Sequence, residues 1–412
     1  MQILHTADWH LGHTLHGLSR HREHGAFLGW LERVIDAEAI DALIIAGDVF
    51  DAANPPASAQ NLWFDFLARI GHRDRHLDVV VIAGNHDSAA RLTAPEPLLD
   101  RLGVRVIGRV ARHGDGRLDD ERMIVPLSDA TGEIGAWLCA VPFLRPADLP
   151  RAPQEVDPLI WGVGEVYREV IDLARGRQQP GQALVACGHL YMVGTAVSHL
   201  SERRILGGNQ HALPIDLFPD DVAYVALGHL HKAQRVGGRD HVRYAGSPIP
   251  LSMGEAGYRH QVCVVTLEGE AFAGVKSVPV PRTIDVVRVP AHGALPLAEA
   301  MDRLTALEAG DLDDGAPYLE VSVALTRPEP GLRAAIVAAL AGRRARLCKV
   351  SVSYTGTGAS LADAEAARPL SDLGPDEVLR RRWQRDHQGE PPAAMVAAYH
   401  ELIDSVMAEQ AP

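Results

Sequence analysis

The chain contains little cysteine and no closely spaced cysteine pair. Its four cysteines, Cys139, Cys187, Cys263 and Cys348, lie far apart in apolar, strand-like segments without a CxxC motif. This spacing predicts buried free thiols in a reducing compartment. The chain also lacks an apolar run as long as a membrane span, and its first residues lack the pattern of a signal peptide. We therefore expect a soluble, cytoplasmic protein with no membrane partner.

Positive charge is not in excess either. The 412 residues carry a formal net charge of −13, which disfavours a protein held on nucleic acid by its overall charge. A nuclease is not excluded, because metal ions offset acidic ligands locally and basic patches can be regional. The phosphate-binding pattern GxxxxGKS/T is absent too, so any ATP chemistry would need another chain. Hydrophobic residues make up 47% of the chain, enough for a large core in two or three domains.

What the chain does contain is a repeated pattern in which polar side chains follow an apolar strand. The clearest case is Ala83-Gly84-Asn85-His86-Asp87, which comes directly after the apolar run Val79-Val80-Val81-Ile82. An amide, an imidazole and a carboxylate are poor core residues and good ligands for a metal or a phosphate. Open α/β sheets place their ligands at such strand ends. Taken alone, the segment also fits a simple turn.

Four further clusters follow predicted strands in the same way. In chain order they are Asp8 with His10, Asp48 with Asp51, His189, and His229 with His231. Residues two apart on extended backbone point the same way, so a pair such as Asp8 and His10 can hold one divalent ion. Each cluster alone also fits surface turn residues. Their joint order, with no cysteine among them, favours a site for manganese, iron or zinc, with Asp48 as the candidate bridging carboxylate.

The remaining pattern indicates the domain organisation. Strands alternate with helices in the first part, which predicts βαβ units and a parallel sheet. After Pro279-Val280-Pro281 the pattern changes to a small α+β module. A basic cluster of Arg343, Arg344, Arg346 and Lys349 follows the second helix of this module; compensation of the helix dipole and contact with a DNA backbone explain it equally well. We place domains at 1–280 and 281–355, a linker at 356–370 and a helix pair at 371–412.

The motifs DxH, GDxxD, GNHD, GH and GHxH, in this order, resemble the calcineurin-like metallophosphoesterase family. The segments that support the resemblance are 3–12, 46–51, 84–88, 142–146, 226–231 and 242–252. The resemblance is dense over the first two-thirds of the chain and thinner beyond. It implies an α/β fold with a β-sandwich flanked by helices, a small α+β capping domain and C-terminal helices. The family's protein phosphatases have Arg-Gly after GDxxD, and Ala52-Ala53 here argues against that branch.

The resemblance also implies a pair of divalent metal ions, with Mn²⁺ as the expected ion. The first ion would be held by Asp8, His10, Asp48 and His231, and the second by Asp48, Asn85, His189 and His229. His86 would not be a ligand but the general acid, oriented by Asp51. A hydroxide formed between the ions would attack the phosphodiester in line.

The expected activity is that of a double-strand exonuclease and single-strand or hairpin endonuclease in DNA repair, recombination and replication. The resemblance implies a nucleoid-associated homodimer within a heterotetramer, acting on DNA ends and hairpins with a coiled-coil ATPase. The helix pair at 371–412 is the candidate docking site for that ATPase. Leu62, Trp63 and Phe66 are a candidate dimer face, although core packing explains them equally well. Two alternatives stay open: a hydrolase of cyclic nucleotides or other small phosphodiesters, and a non-catalytic, metal-stabilised scaffold for a DNA-bound ATPase.

Overall fold

The computed structural model describes residues 1–73, 75–196 and 212–355, and in addition residues 379, 382–384, 391–392, 395–396 and 399. The chain divides into two compact units, Met1–Ser353 and Tyr354–Pro412. The predicted linker at 356–370 and most of the predicted helix pair at 371–412 lie outside the described residues. Both stay predictions, as does the boundary at 280/281. Within the described part, no helix is long and apolar enough to cross a bilayer.

The described residues form strands and helices in the predicted order. The strands are β1 (Gln2–Thr6), β2 (Thr14–Leu15), β3 (Leu18–Ser19), β4 (Ala42–Ala46), β5 (Asp78–Ile82), β6 (Val104–Ile107), β7 (Ile124–Ser128), β8 (Ile134–Ala140), β9 (Ala183–His189), β10 (Tyr224–Gly228), β11 (Gln234–Val236), β12 (Arg239–Tyr244), β13 (Gln261–Glu268), β14 (Ala271–Pro279), β15 (Val286–Val289), β16 (Leu295–Pro296), β17 (Tyr318–Leu325) and β18 (Arg346–Tyr354). The α-helices are α1 (His21–Ala37), α2 (Ala57–Gly71), α3 (Ala89–Thr93), α4 (Glu96–Leu99), α5 (Asp120–Met123), α6 (Pro158–Arg177), α7 (Leu297–Thr305) and α8 (Leu332–Ala339).

Two six-stranded sheets carry the predicted ligands. The first has the order β14-β13-β1-β4-β5-β6 and the second the order β11-β12-β10-β9-β8-β7. In the first sheet β1, β4, β5 and β6 run parallel, and β13 and β14 complete it in antiparallel pairing. In the second sheet β8, β9, β10 and β12 run parallel. The carboxyl ends of the parallel strands therefore share one edge of each sheet, and the predicted ligands follow those ends.

Side-chain alternation on the central strands divides the interior into two cores. Ile3 and Ile44 belong to the core between the two sheets, which also includes apolar residues of α6. Their neighbours Leu4 and Leu43 belong to the core formed with α1 and α2. Successive strand residues point to opposite faces, so a strand buried on both faces needs a continuous apolar run. The layers confirm the predicted β-sandwich flanked by helices.

The apolar stripe of α2 fills a core rather than forming a surface. Trp63 is 1% exposed and Phe66 is 0% exposed, and both rings pack edge-on against Trp9 at centroid distances of 5.8 and 5.4 Å. Leu62 is partly buried against the same cluster. For Trp63 and Phe66 the dimer face is therefore wrong and core packing is correct, whereas a place for the partly exposed Leu62 in a dimer face stays a prediction.

The segment after Pro281 forms the predicted small module. β15, β17, β16 and β18 make a four-stranded sheet, covered by α7 and α8 with their own apolar core. α8 ends at Ala339, so Arg343 to Arg346 lie beyond its last turn. The helix dipole acts only within the last turn, so dipole compensation does not explain these arginines. Arg344 pairs with Asp313 at 3.1 Å and Lys349 with Glu320 at 3.0 Å. Contact of this cluster with DNA stays a prediction.

The packing of α2 gives a matched test. Phe66→Ala should lower the free energy of unfolding by about 3–5 kcal/mol, because it leaves a cavity between α2 and Trp9. Phe64→Ala on the same helix should change it by less than about 0.5 kcal/mol, because Phe64 is 40% exposed. Denaturant unfolding followed by circular dichroism measures both variants. Equal losses in the two variants would contradict this assignment of the helix faces.

Candidate metal centre

Backbone hydrogen bonds tie the loop after β1 to the loop after β4. The Asp8 N–H donates to the Gly47 carbonyl at 3.0 Å, and the His10 N–H donates to the Asp48 carbonyl at 3.0 Å. The His86 N–H, after β5, donates to the Asp48 carboxylate at 2.8 Å. The second sheet joins through the His229 N–H, which donates to the Asp8 carboxylate at 2.9 Å. Loops from both sheets therefore meet around two carboxylates.

Several ligand candidates have a backbone conformation that is rare for residues other than glycine. Asp8, His10, Asp48 and His229 have φ angles of 54°, 48°, 50° and 103°. Left-handed backbone costs energy for side chains with a Cβ, and such residues cluster where surrounding contacts enforce them. Here the strained turns direct successive side chains into one pocket.

Two glycines allow the loops to approach this closely. A Cβ on Gly84 would lie 2.1 Å from Oδ1 of Asp48, and one on Gly228 would lie 1.9 Å from the carbonyl oxygen of Ala46. Neither position can hold a larger residue without moving the backbone. The glycine of the GNHD motif is thus required by the contact with the loop after β4 in the same sheet, and the glycine of the GHxH motif by the contact between the two sheets.

The structure brings all seven predicted ligands into one buried pocket. Nε2 of His189 lies 2.9 Å from Oδ1 of Asn85 and 3.3 Å from Oδ2 of Asp48. Nδ1 of His229 lies 3.1 Å from the same Asn85 oxygen. On the other side of Asp48, the rings of His10 and His231 have centroids 5.1 Å apart. The groups Asp8–His10–His231 and Asp8–Asp48–His189 each present ligand atoms within 4.8 Å of one another.

The orientation of His189 fits a bound cation. Its Nδ1 lies 2.9 Å from the carbonyl oxygen of Ala46, which can only accept, so Nδ1 carries a hydrogen. In the neutral ring, Nε2 then presents a lone pair toward the oxygens of Asn85 and Asp48. Three converging lone pairs repel one another unless a cation or a proton lies among them. A metal ion with oxygen and imidazole ligands satisfies all three.

His10 supports the same conclusion. Its ring is buried, and neither ring nitrogen makes a hydrogen bond of good geometry with the described residues. Buried polar atoms without such partners are rare and call for an explanation. A ligand role supplies one, since Nε2 of His10 lies 3.6 Å from Oδ2 of Asp48, the proposed bridge.

Burial and mutual charge interactions shift the pKa values of several side chains in the pocket, so that the cluster retains protons near neutral pH. Burial raises the pKa of Asp8 to about 6. Burial would also raise the pKa of Asp48, but the imidazoles of His189, His10 and His86 outweigh it and hold that pKa below its usual range. Burial lowers the pKa of His189, but the carboxylates of Asp48 and Asp8 outweigh it and raise that pKa to about 9. Metal ions entering this pocket would displace protons.

His86 lies beside this pocket and contacts Asp51 in an unexpected way. Nδ1 of His86 lies 2.8 Å from the backbone carbonyl oxygen of Asp51, not from its carboxylate. The carboxylate instead lies 3.2 Å from Nδ1 of His10 and 3.0 Å from Nδ1 of His13. Asp51 therefore contacts the candidate acid through its backbone and a candidate ligand through its side chain.

Three supporting residues were not predicted from the sequence. Asp87 accepts the N–H groups of Gly84, Val49 and Phe50 at 2.9–3.1 Å and so fixes two ligand loops. Glu255 lies 3.0 Å from Nδ1 of His231, and His13 contacts Asp51. The GNHD motif indicates the Asp87 carboxylate as a candidate ligand of a metal or a phosphate, not as an acceptor of backbone N–H groups. Glu255 comes 24 positions after His231, where no local pattern points to it.

Comparison with known proteins agrees with this geometry. Residues 1–233 match the family described as calcineurin-like phosphoesterase. The Rhodobacter capsulatus protein named as the SbcD subunit of nuclease SbcCD is 43% identical over 381 residues, which is 90% of this chain and 91% of the relative. The Escherichia coli protein of that name is 38% identical over 290 residues, 69% of each chain. The Bacillus subtilis protein of that name is 36% identical over 269 residues, 64% of this chain and 66% of the relative.

This chain belongs to the calcineurin-like phosphoesterase family, among the SbcD subunits of SbcCD nucleases. The family resemblance seen in the motifs is thereby confirmed. A second match, described as type 5 capsule protein repressor C-terminal domain, covers residues 282–387 and so includes the module after Pro281. Among solved structures, nuclease MPE of Pseudomonas putida aligns with 46% of this chain and 62% of its own at 17% identity; its TM-score of 0.20 supports no argument.

In this member of the phosphoesterase family, metal binding should depend on pH. His189, with a pKa of about 9, keeps a proton at neutral pH that a metal ion must displace. The affinity for Mn²⁺ should therefore rise by about tenfold per pH unit between about pH 6.5 and 8, with about one proton released. Titration calorimetry in buffers of different ionisation enthalpy measures both quantities. An affinity independent of pH would show that the metal-free pocket holds no such proton.

Proposed function

We propose that this chain is the nuclease subunit of an SbcC–SbcD type complex. It would act as a double-strand exonuclease and as a single-strand or hairpin endonuclease in DNA repair, recombination and replication. The observation that carries the proposal is the single pocket in which the side chains of the seven proposed ligands meet beside His86. The names of the relatives, at 36–43% identity, support the same activity.

The pocket has the donors for two divalent ions, with Mn²⁺ as the expected ion. The proposed ligands of the first ion are Asp8, His10, Asp48 and His231, and those of the second are Asp48, Asn85, His189 and His229. When bound, such ions supply Lewis-acid charge to a phosphodiester and make a water more acidic. The chain's own contribution is orientation, because Glu255 holds His231 and the Ala46 carbonyl holds His189.

His86 is the proposed general acid. Its Nδ1–H donates to the Asp51 carbonyl, so Nε2 carries a hydrogen only when the ring is the imidazolium. The imidazolium would give the Nε2 proton to the oxygen that leaves phosphorus. The neutral ring that results still donates from Nδ1, so the same hydrogen bond orients His86 before and after the transfer.

A cation next to the pocket supports a polyanionic substrate. The guanidinium carbon of Arg145 lies 5.6 Å from the ring centroid of Phe143, and that ring lies edge-on to His189 at 6.2 Å. Among the described residues, Arg145 forms no ion pair. An arginine without an ion-pair partner beside the pocket can bind a phosphate adjacent to the one that is cleaved. DNA has such a neighbouring phosphate, and a small phosphodiester does not.

The relatives' names, as subunits of nuclease SbcCD, support a second subunit as partner, and the family resemblance implies the rest of the proposed assembly. We propose a homodimer bound to an SbcC-type ATPase with a coiled coil, within a heterotetramer that is cytoplasmic and nucleoid-associated. DNA ends and hairpins are the proposed substrates. The docking segment for the ATPase is proposed at 371–412, which lies largely outside the described residues.

Two variants test the chemistry. His86→Gln should keep both metal ions but lower the turnover of end-labelled duplex and hairpin DNA by at least about 100-fold, because the acid is lost. Asp48→Asn should weaken the binding of both metal ions and abolish turnover, because it removes the negative charge of the proposed bridging carboxylate. Assays with and without Mn²⁺, beside metal titrations, measure these effects. Full DNA cleavage by His86→Gln would remove His86 from the mechanism.

An aryl phosphodiester assayed in parallel tests the substrate class. A wild-type chain that hydrolysed this small diester but not DNA would favour the small-phosphodiester hydrolase. A wild-type chain without either activity would favour the scaffold.

Deleting residues 370–412 tests the docking segment. The truncated chain should remain a metal-dependent nuclease, because Met1–Ser353 forms a compact unit by itself. It should no longer co-purify with the ATPase, whereas the full-length chain should. Retained binding of the ATPase by the truncated chain would refute this role of the segment.

A further inference from the structure

A fully buried ion pair joins the module after Pro281 to the metal-binding part of the chain. Arg20, which precedes α1, is 0% exposed and pairs with Glu23 through two contacts of 2.5 and 2.6 Å. The hydroxyl of Tyr318, at the start of β17, donates to Glu23 at 2.9 Å. The guanidinium carbon of Arg20 also lies 5.1 Å from the Tyr318 ring centroid.

Such a pair is a costly way to stabilise a core. Removing two charges from water costs several kcal/mol, and apolar residues of the same size often stabilise a protein as well or better. The ion pair therefore calls for a positional role. Its third contact indicates what it positions, because Arg20 also donates to the carbonyl oxygen of Pro250 at 2.5 Å.

From Pro250, hydrogen bonds lead to His231. The N–H of Leu251, the next residue, donates to Oε2 of Glu255 at 2.8 Å. The other oxygen of Glu255 lies 3.0 Å from Nδ1 of His231. Glu255 thus lies between the loop that Arg20 holds and a proposed ligand of the first metal ion.

A second branch leads from the same loop to His10. The Leu251 carbonyl oxygen accepts from Nε2 of His13 at 2.9 Å. Nδ1 of His13 lies 3.0 Å from Oδ1 of Asp51, and that oxygen lies 3.2 Å from Nδ1 of His10. The contacts from residues 250–251 therefore hold Nδ1 of His231 through Glu255, and through His13 and Asp51 they extend to a carboxylate oxygen that lies beside His10. Within the described ranges no equivalent contact leads to His189, whose Nδ1 is held by Ala46 of β4.

We propose that Tyr318 is a positioning residue for the first metal site. Its hydroxyl fixes Glu23 and Arg20, Arg20 fixes the loop at Pro250, and that loop orients His231 through Glu255. The module after Pro281 thereby controls the affinity of the first site and leaves the second site unchanged. The proposal rests on the ligand sets given under the proposed function.

Tyr318→Phe is the sharpest test, because it removes one hydroxyl and keeps the ring against Arg20. We expect the affinity of one of the two steps of a two-ion Mn²⁺ titration to fall about 5–10-fold, the size of one buried hydrogen bond. The other binding step should stay at the wild-type value. Calorimetry and the electron paramagnetic resonance of free Mn²⁺ measure both steps on the full-length chain.

Arg288→Met is the matched control. It breaks an ion pair with Glu320 at 2.8 Å in the same module, and Arg288 itself makes no hydrogen bond to residues 250–251 in the described part of the chain. It should leave both affinities unchanged. A wild-type isotherm for Tyr318→Phe, or an equal loss in Arg288→Met, would overturn the proposal.

A thermodynamic cycle separates this path from a general loss of packing. If Tyr318 acts through Glu255, then Tyr318→Phe should cost less affinity in a Glu255→Gln background than in the wild type. If the losses of metal affinity in the two single variants simply added in the double variant, Tyr318 would not act on His231 through Glu255. All these readouts are metal affinities, so DNA cleavage by the wild type tests the proposed function separately.

Discussion

The burial of the Asp48 carboxylate is the constraint on which the rest of the structure depends. A charge withdrawn from water is costly unless opposite charge or hydrogen bonds meet it. Around Asp48 stand the imidazoles of His10 and His189 and the backbone N–H of His86. These partners come from loops of both sheets. If the two sheets did not pack with these edges together, the carboxylate would lose the imidazole of His189, which comes from the second sheet.

The requirement explains features that are unfavourable when seen locally. Left-handed backbone at Asp8, His10 and Asp48 costs conformational energy, yet it turns their side chains toward a common centre. Gly84 and Gly228 contribute no side-chain packing, but their lack of a Cβ lets the loops approach closely. The layers outside, with Trp9, Trp63 and Phe66 on one side of the first sheet, supply the apolar burial that offsets these costs.

Around the proposed ligands lie residues that hydrogen-bond to them or to their loops and so fix their orientation. Asp87 ties backbone N–H groups of two loops, Glu255 contacts His231, and Asp51 contacts His10. An imidazole held at one nitrogen presents the other in a defined direction, which is what a metal ligand needs. Through Arg20 and Tyr318 these contacts extend into the module after Pro281. The site is therefore a property of the whole described unit.

The sequence by itself determined the elements and the candidate ligands. Apolar runs followed at once by Asp, Asn or His predict strand ends with ligands, and the apolar run at 79–82 forms all but the first residue of β5. These signals are local, because alternation and helical spacing act over a few positions. The order of the motifs then indicated the family.

Only the tertiary structure decided which side chains orient the ligands. Glu23 meets Tyr318 across 295 positions, and His231 meets Glu255 across 24. It also decided that Asp51 contacts His86 through its backbone, and that Trp63 and Phe66 face a core. A hydrogen bond between residues distant in sequence forms only where the fold brings them together, and the packing of whole sheets decides which residues those are. No pattern within a short segment carries that information.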